Sequence, residues 1–129
     1  MSTTRDPAAV VTDFYAALSR GEADAAAELV VEHFNDDATL SRPESLPGGG
    51  VIEGAAGIAR FMRAAASQVR GLQLRETHVA PGDGTVHVFA VLELSLGATT
   101  SAIEWWVFDS GGARSVTAYY WDTSALMGR

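Results

Sequence analysis

"SAIEWWVFDSGG", residues Ser101 to Gly112, is the stretch on which the fold turns. Read as a strand, it places Ala102, Glu104, Trp106 and Phe108 on one side and Ile103, Trp105 and Val107 on the other, because strand side chains alternate. Neither side is a plain solvated face. A carboxylate among aromatics implies either a half-enclosed surface or a buried charge that costs several kcal/mol, roughly. The "DSGG" that follows (Asp109 to Gly112) is a turn signal.

Working outward, the region from Leu72 onward has period two, with further turns at "PGDG" (Pro81 to Gly84) and "LGATT" (Leu96 to Thr100), which predicts four long strands joined as a meander. The front of the chain has helical spacing instead. Asp6-Pro7 reads as N-cap and first helical position, and Val10, Val11, Phe14, Tyr15 and Leu18 recur until Gly21. A second helix is expected from about Asp24 to Phe34, ended by "NDD". The short "ATLS" (Ala38 to Ser41) is strand-like, and "RPESLPGGG" is a loop by its prolines and glycines. After "VIE" a third helix is expected from about Ala55 to Gln68, with Ile58, Phe61, Met62 and Ala65 as its apolar stripe. Helices first and strands after predict a single α+β domain over 1–129, the helices packed on one face of an antiparallel sheet.

A chain of 129 residues buries roughly two-thirds of its unfolded surface, enough for one real core. Its 16 acidic against 9 basic residues give a formal charge of −7, with no basic cluster, which argues against nucleic acid or an anionic membrane as partner. The absence of cysteine excludes disulfides and thiolate chemistry, and His33, His78 and His87 lack metal-ligand spacing, so neither a metal nor a cofactor is expected. The N-terminal "MSTTRDPAAVV" has no signal-peptide h-region, and no stretch approaches the ~18 apolar residues of a membrane span. A cytoplasmic location is the expectation.

The element order, together with "DDATL" (Asp36 to Leu40), "PESLPGGGVIEGAAGIARF" (Pro43 to Phe61) and "VTAYYWDTSAL" (Val116 to Leu126), resembles the nuclear transport factor 2 superfamily, and within it the SnoaL-like polyketide cyclases and ketosteroid isomerases. The resemblance implies a cone-shaped, cystatin-like fold with a pocket between helices and a curved sheet. In the isomerases a first-helix tyrosine and a strand acid donate to the substrate oxygen while a first-strand aspartate moves the proton. Those positions fall on Tyr15 or Phe14, on Glu104, and on Arg42, whose guanidinium cannot abstract a proton. In the cyclases and epoxide hydrolases a last-strand aspartate precedes a second aspartate by three; if Asp122 is the second, Tyr119 stands at the catalytic position.

Glu104, Tyr119 and Tyr15 are therefore the candidate catalytic residues. Phe14, Arg42, Glu44, His78, Trp106, Phe108 and Trp121 are the candidate substrate-binding ones. Glu104 is expected to face a cavity lined by Trp106, Phe108, Tyr119 and Trp121, which would raise its pKa; the alternative is that it pairs with an arginine or lies at an interface. Tyr119 and Trp121 are assigned to the helix-facing side of the last strand, and core packing is the competing role for both. Arg42 and Glu44 flank Pro43 at a mouth loop, either to hold a polar substrate end or to pair with each other. His78 has the strand parity of Leu72 and Leu74 and suits a structural hydrogen bond as well as a site. Trp105 and Tyr120 then fall on the outer face, where aromatics suggest a homodimer interface. The functions expected are cyclisation, isomerisation or dehydration of a small hydrophobic polyketide- or terpenoid-like molecule, with epoxide opening or a non-catalytic ligand-binding or dimerisation module as the alternatives.

Overall fold

The computed structural model describes residues 6–95 and 98–126. Helices α1 (Pro7–Ser19) and α2 (Ala23–His33) lead into strand β1 (Phe34–Arg42). Strand β2 (Gly50–Glu53), helix α3 (Ala55–Ala66) and the long strands β3 (Gly71–Pro81), β4 (Val86–Ser95), β5 (Thr99–Asp109) and β6 (Gly112–Tyr120) follow, with a closing 3-10 turn at Thr123–Leu126. The six strands form one curved, unclosed sheet in the order β2-β1-β6-β5-β4-β3, with the three helices against one face. The predicted α+β architecture is present. Leu96 and Gly97 of the expected "LGATT" turn lie outside the described residues.

Local chemistry accounts for the helix ends. Asp6 caps α1 by accepting a hydrogen bond from the Ala9 N–H at 3.3 Å, and Pro7 begins the helix where its missing N–H leaves no helical bond unmade. Val10, Val11, Phe14, Tyr15 and Leu18 are buried against the sheet.

The sheet differs from the purely antiparallel one expected, because β1 lies parallel to β6 and antiparallel to β2. Strand β1 is also longer than "ATLS": α2 stops at His33 and Phe34 already pairs with Ala113. The "NDD" segment is not a terminator but an irregularity in β1, where the register shifts between Phe34 and Thr39. Asn35 is held there by its Nδ2, which donates to both carboxylate oxygens of Asp109 at 3.1 Å. Gly112, at φ 135°, makes this junction possible, since a Cβ there would lie 2.2 Å from the His33 carbonyl oxygen.

Two further register shifts decide which side chains face the helices. In β3 the shift between Leu74 and Glu76 reverses parity, so Leu72 and Leu74 turn toward the core while His78 pairs with Phe89 on the outer side. In β6 the shift opposite Val107 and Phe108 sets Val116, Ala118 and Tyr120 on the inner face and Ser115, Thr117 and Tyr119 on the outer one. The inner set is buried or half-buried and Tyr119 is exposed. Among the described residues, no helix is long and apolar enough to cross a membrane.

Candidate active site

Strand β5 presents Ala102, Glu104, Trp106 and Phe108 to the helices, as its alternation predicted. Trp106 is 1% exposed and meets Phe14 and Phe34 edge-to-face, with centroids 5.2 and 5.4 Å away, and stacks on Phe108. This end of the inner face is closed. One step along the strand, Glu104 stands opposite Ala90 on β4 and Ala118 on β6, and these two small neighbours leave room for its carboxyl.

That carboxyl opens onto a cavity of about 330 Å³ between α1, α3 and the sheet. Leu18, Leu40, Phe61, Met62, Leu72, Leu92 and Leu94 supply most of its wall, and Pro47 and Gly48 of the loop after β1 reach its mouth. The loop turns back tightly at Gly49, where a Cβ would lie 2.0 Å from the Pro43 carbonyl oxygen. Leu46 of the same loop is buried with Leu94 and Leu126, so the loop and the closing 3-10 turn share a small apolar cluster beside the cavity.

Five polar side chains gather in the cavity or behind it. The Trp106 indole N–H donates to the Tyr15 hydroxyl at 3.0 Å, and that hydroxyl donates to Oε1 of Glu104. The direction is fixed by chemistry: an indole only donates, and a phenol has one proton to give. Tyr15 therefore gives its proton to Glu104 and has none left for a substrate oxygen. Tyr120 on β6 and Arg42 on β1 complete the group, both lining the cavity beside Glu104.

Burial pushes the Glu104 carboxyl above its ordinary value, against the opposing effects of the Tyr15 hydrogen bond, the Arg42 charge and Tyr120. Burial and the Glu104 charge push the Tyr15 phenol well up. The Tyr120 phenol is pushed up to about 12, chiefly by burial and then by Glu104, with Arg42 opposing. Both phenols thus stay protonated across the physiological range.

Of the residues expected at the site, the structure brings together Phe14, Tyr15, Arg42 and Glu104. Trp106 and Phe108 lie behind the cavity wall as buried packing, with Trp106 connected to the site through Tyr15. The others lie elsewhere. Tyr119 and Trp121 are 54% and 88% exposed, because the β6 register turns the first outward and the strand ends before the second. His78 is exposed on the outer side, its Nε2 2.8 Å from Glu76 Oε1. Glu44 is exposed in the mouth loop and forms no ion pair with Arg42; the Arg42 Nη1 donates instead to the Pro47 carbonyl oxygen at 3.1 Å.

Tyr120, assigned from the sequence to the outer face, is the residue that reasoning missed. Its signal was the polar parity of Ser115 and Thr117 against the apolar parity of Val116 and Ala118, which makes Tyr120 an inward position. Asp122 is exposed and accepts from the Ser124 N–H at 3.0 Å, capping the final turn. Among the described residues, β6 therefore sends no carboxylate into the cavity, which removes the arrangement that epoxide opening by a last-strand aspartate requires. No cluster of three or more His, Asp or Glu side chains among the described residues is placed to hold a metal.

Comparison with known proteins fits this geometry. No curated protein matches the sequence. Among solved structures, a cystatin-like protein from Methylobium petroleophilum PM1 superposes with a TM-score of 0.69 at 19% identity, covering 93% of this chain and 80% of that one. TerC, co-crystallised with polyporic acid, gives 0.67 at 22% identity over 95% and 98%. A "putative dehydratase from the NTF2-like family" of Streptomyces avermitilis gives 0.63 at 18% over 86% and 90%. At these identities the likeness establishes a shared fold. In sequence, residues 11–114 match the SnoaL-like domain, so this chain belongs to the SnoaL-like family.

Proposed function

We propose that this SnoaL-like protein is an enzyme performing acid-base chemistry without a cofactor on a small hydrophobic carbonyl substrate, with Glu104 moving the proton. The observation that carries this reading is the chain from Trp106 through Tyr15 to Glu104. It holds Oε1 of the carboxyl from behind, at a position that lines the cavity. A carboxyl shifted upward by burial suits proton transfer near neutral pH, where acceptor strength and the ionised fraction are balanced.

Glu104 takes the proton from the carbon next to the substrate carbonyl. The C–H electron pair moves into the new C=C bond, and the carbonyl oxygen gains the negative charge. Tyr120 donates to that oxygen, stabilising charge that exists only as the reaction proceeds. Glu104 then returns the proton at a different carbon, giving isomerisation, or the enolate carbon attacks a second carbonyl and Glu104 protonates the alkoxide that forms, giving cyclisation. In dehydration the enolate re-forms its carbonyl as the β C–O bond breaks, and Glu104 gives its proton to the departing hydroxyl, which leaves as water. The base position of the isomerase template, occupied here by Arg42, is not needed, because Glu104 serves as the base itself. TerC's co-crystallisation with polyporic acid supports a small organic ligand for this fold.

The test is exchange of the α-protons of 2-tetralone in D2O, followed by NMR. Wild-type protein should accelerate it; Glu104→Gln should reduce the rate by about 10²–10⁴-fold, and Tyr120→Phe by about 10²-fold. Exchange by Glu104→Gln at the wild-type rate contradicts the reading.

We further propose that the outer sheet face meets a second copy of this chain. It carries Trp105 stacked between His87 and Phe89, with Ile103 43% and Tyr119 54% exposed beside them. An isologous dimer covers the same patch on both copies. Trp105→Glu should then yield monomers by sedimentation, and a wild type that sediments as a monomer at micromolar concentration contradicts it.

A further inference from the structure

Arg42 carries a permanent positive charge in the cavity that Glu104 lines, close enough for its charge to act on that carboxyl, and forms no ion pair with a carboxylate among the described residues. Arg20, Arg63 and Arg75 pair with Glu22, Asp24 and Glu93 within 3.3 Å. Among the described residues Arg42 forms no such pair, as Arg60, Arg70 and Arg114 do not, but of these four it alone lines the cavity. Arg42 is held by neutral groups. Its Nη1 donates to the Pro47 carbonyl oxygen at 3.1 Å, and its guanidinium carbon sits 4.8 Å from the Phe61 ring centroid. These contacts hold the planar fork of N–H donors in place at the cavity. Tyr120, with its own hydroxyl, lies beside it.

We propose that Arg42 makes this cavity selective for organic anions: an apolar body filling the cavity and bearing one carboxylate, whose oxygens take guanidinium N–H groups. The geometry suits it, since a guanidinium pairs with a carboxylate through two parallel hydrogen bonds, and these are strong where water is excluded. The proposal rests on this cavity being the ligand site but not on Glu104 being the base.

A consequence follows for protons. The titratable or charged groups facing Glu104 are Tyr15 from α1, Arg42 from β1 and Tyr120 from β6, while β4 and α3 present apolar side chains to the cavity. Both phenols stay neutral. A bound carboxylate takes up the Arg42 charge that otherwise favours ionised Glu104, and it repels that ionised form directly. Anion binding therefore draws a proton onto Glu104 and strengthens as pH falls, whereas a neutral ligand lacks this dependence.

The test is isothermal titration with 1-naphthoate and its neutral counterpart 1-naphthamide, from about pH 5 to pH 8, a range in which the naphthoate stays ionised. The expected result is that naphthoate binds about tenfold or more tightly than the amide, with its advantage shrinking as pH rises. Arg42→Met should abolish the preference, with naphthoate losing about tenfold or more in affinity. Should that variant fail to fold, Arg42→Gln makes the same test. Equal affinity for the two probes, no naphthoate binding at about 1 mM, or a preference that survives the substitution overturns the proposal. A Glu104→Gln variant that retains wild-type tetralone exchange would defeat the acid-base reading yet leave this preference standing, so the two failures are distinguishable.

Discussion

Two neighbouring stretches of the same sheet face behave differently. Around Trp106, four aromatic rings from α1, β1 and β5 pack against its indole, which is 1% exposed. Around Glu104, two residues away, Ala90 and Ala118 replace bulky neighbours and a cavity opens. Both stretches face the helices. The difference teaches how a fold accommodates a carboxyl at this depth: small flanking residues make the space, and the closed end supplies the hydrogen-bond chain that orients it. Trp106 belongs to both, its ring packed in the closed end and its N–H directed to the open one.

Removing that shared residue is the largest perturbation. Trp106→Ala should destabilise the protein by about 3–5 kcal/mol, through lost packing and a cavity the rings cannot refill, and denaturant unfolding measures this. A loss below about 1 kcal/mol would show that the closed end is not closed. Tyr15→Phe sharpens the division, since it keeps the ring and deletes only the relay. It leaves the buried Trp106 N–H without its acceptor, so about 1–3 kcal/mol of stability should be lost. It also removes a hydrogen bond that favours ionised Glu104, so the carboxyl should titrate higher than in wild type.

A pH comparison addresses the open end alone. Because the folded state raises the Glu104 pKa above the ordinary 4.5, the native state holds this proton more tightly than the unfolded chain. Its stabilising contribution is fully present below the ordinary value and is lost as pH rises through the raised one. Glu104→Gln removes the dependence. Melting temperatures of wild type and variant should therefore diverge on the alkaline side, with the variant gaining relative to wild type as pH increases. A gap that widens toward acid would reverse the assignment. The smallest effect is expected outside the inner face: Tyr119→Ser should change monomer stability by less than about 0.5 kcal/mol, since its side chain is mostly exposed.

The closed end was the more legible of the two in the sequence. The alternation in "AIEWWVF" placed Glu104, Trp106 and Phe108 together, and the spacing of Phe14 and Tyr15 brought α1 over them. What the sequence concealed was register. A single extra residue in β3 turns His78 outward, and another in β6 exchanges Tyr119 for Tyr120 at the cavity. Strand periodicity is strictly local, so an irregularity caused by a partner strand inverts every assignment beyond it. The polar Ser115 and Thr117 were the local trace of the second shift, outweighed by the size of the Tyr119 and Trp121 rings. The roles of Arg42 and Tyr15 were hidden for another reason. Each depends on a partner distant in sequence, Phe61 for the first and Trp106 and Glu104 for the second.

The central claim is that Glu104 is a carboxyl held at a raised pKa with one oxygen oriented by Tyr15. The most direct test is a carboxyl-¹³C NMR titration of the unliganded protein, with the Glu104 resonance assigned by its loss in Glu104→Gln. The account predicts a midpoint above the ordinary 4.5 in wild type and a still higher one in Tyr15→Phe. A midpoint at or below that value, or one that does not move when the Tyr15 hydroxyl is removed, would contradict it.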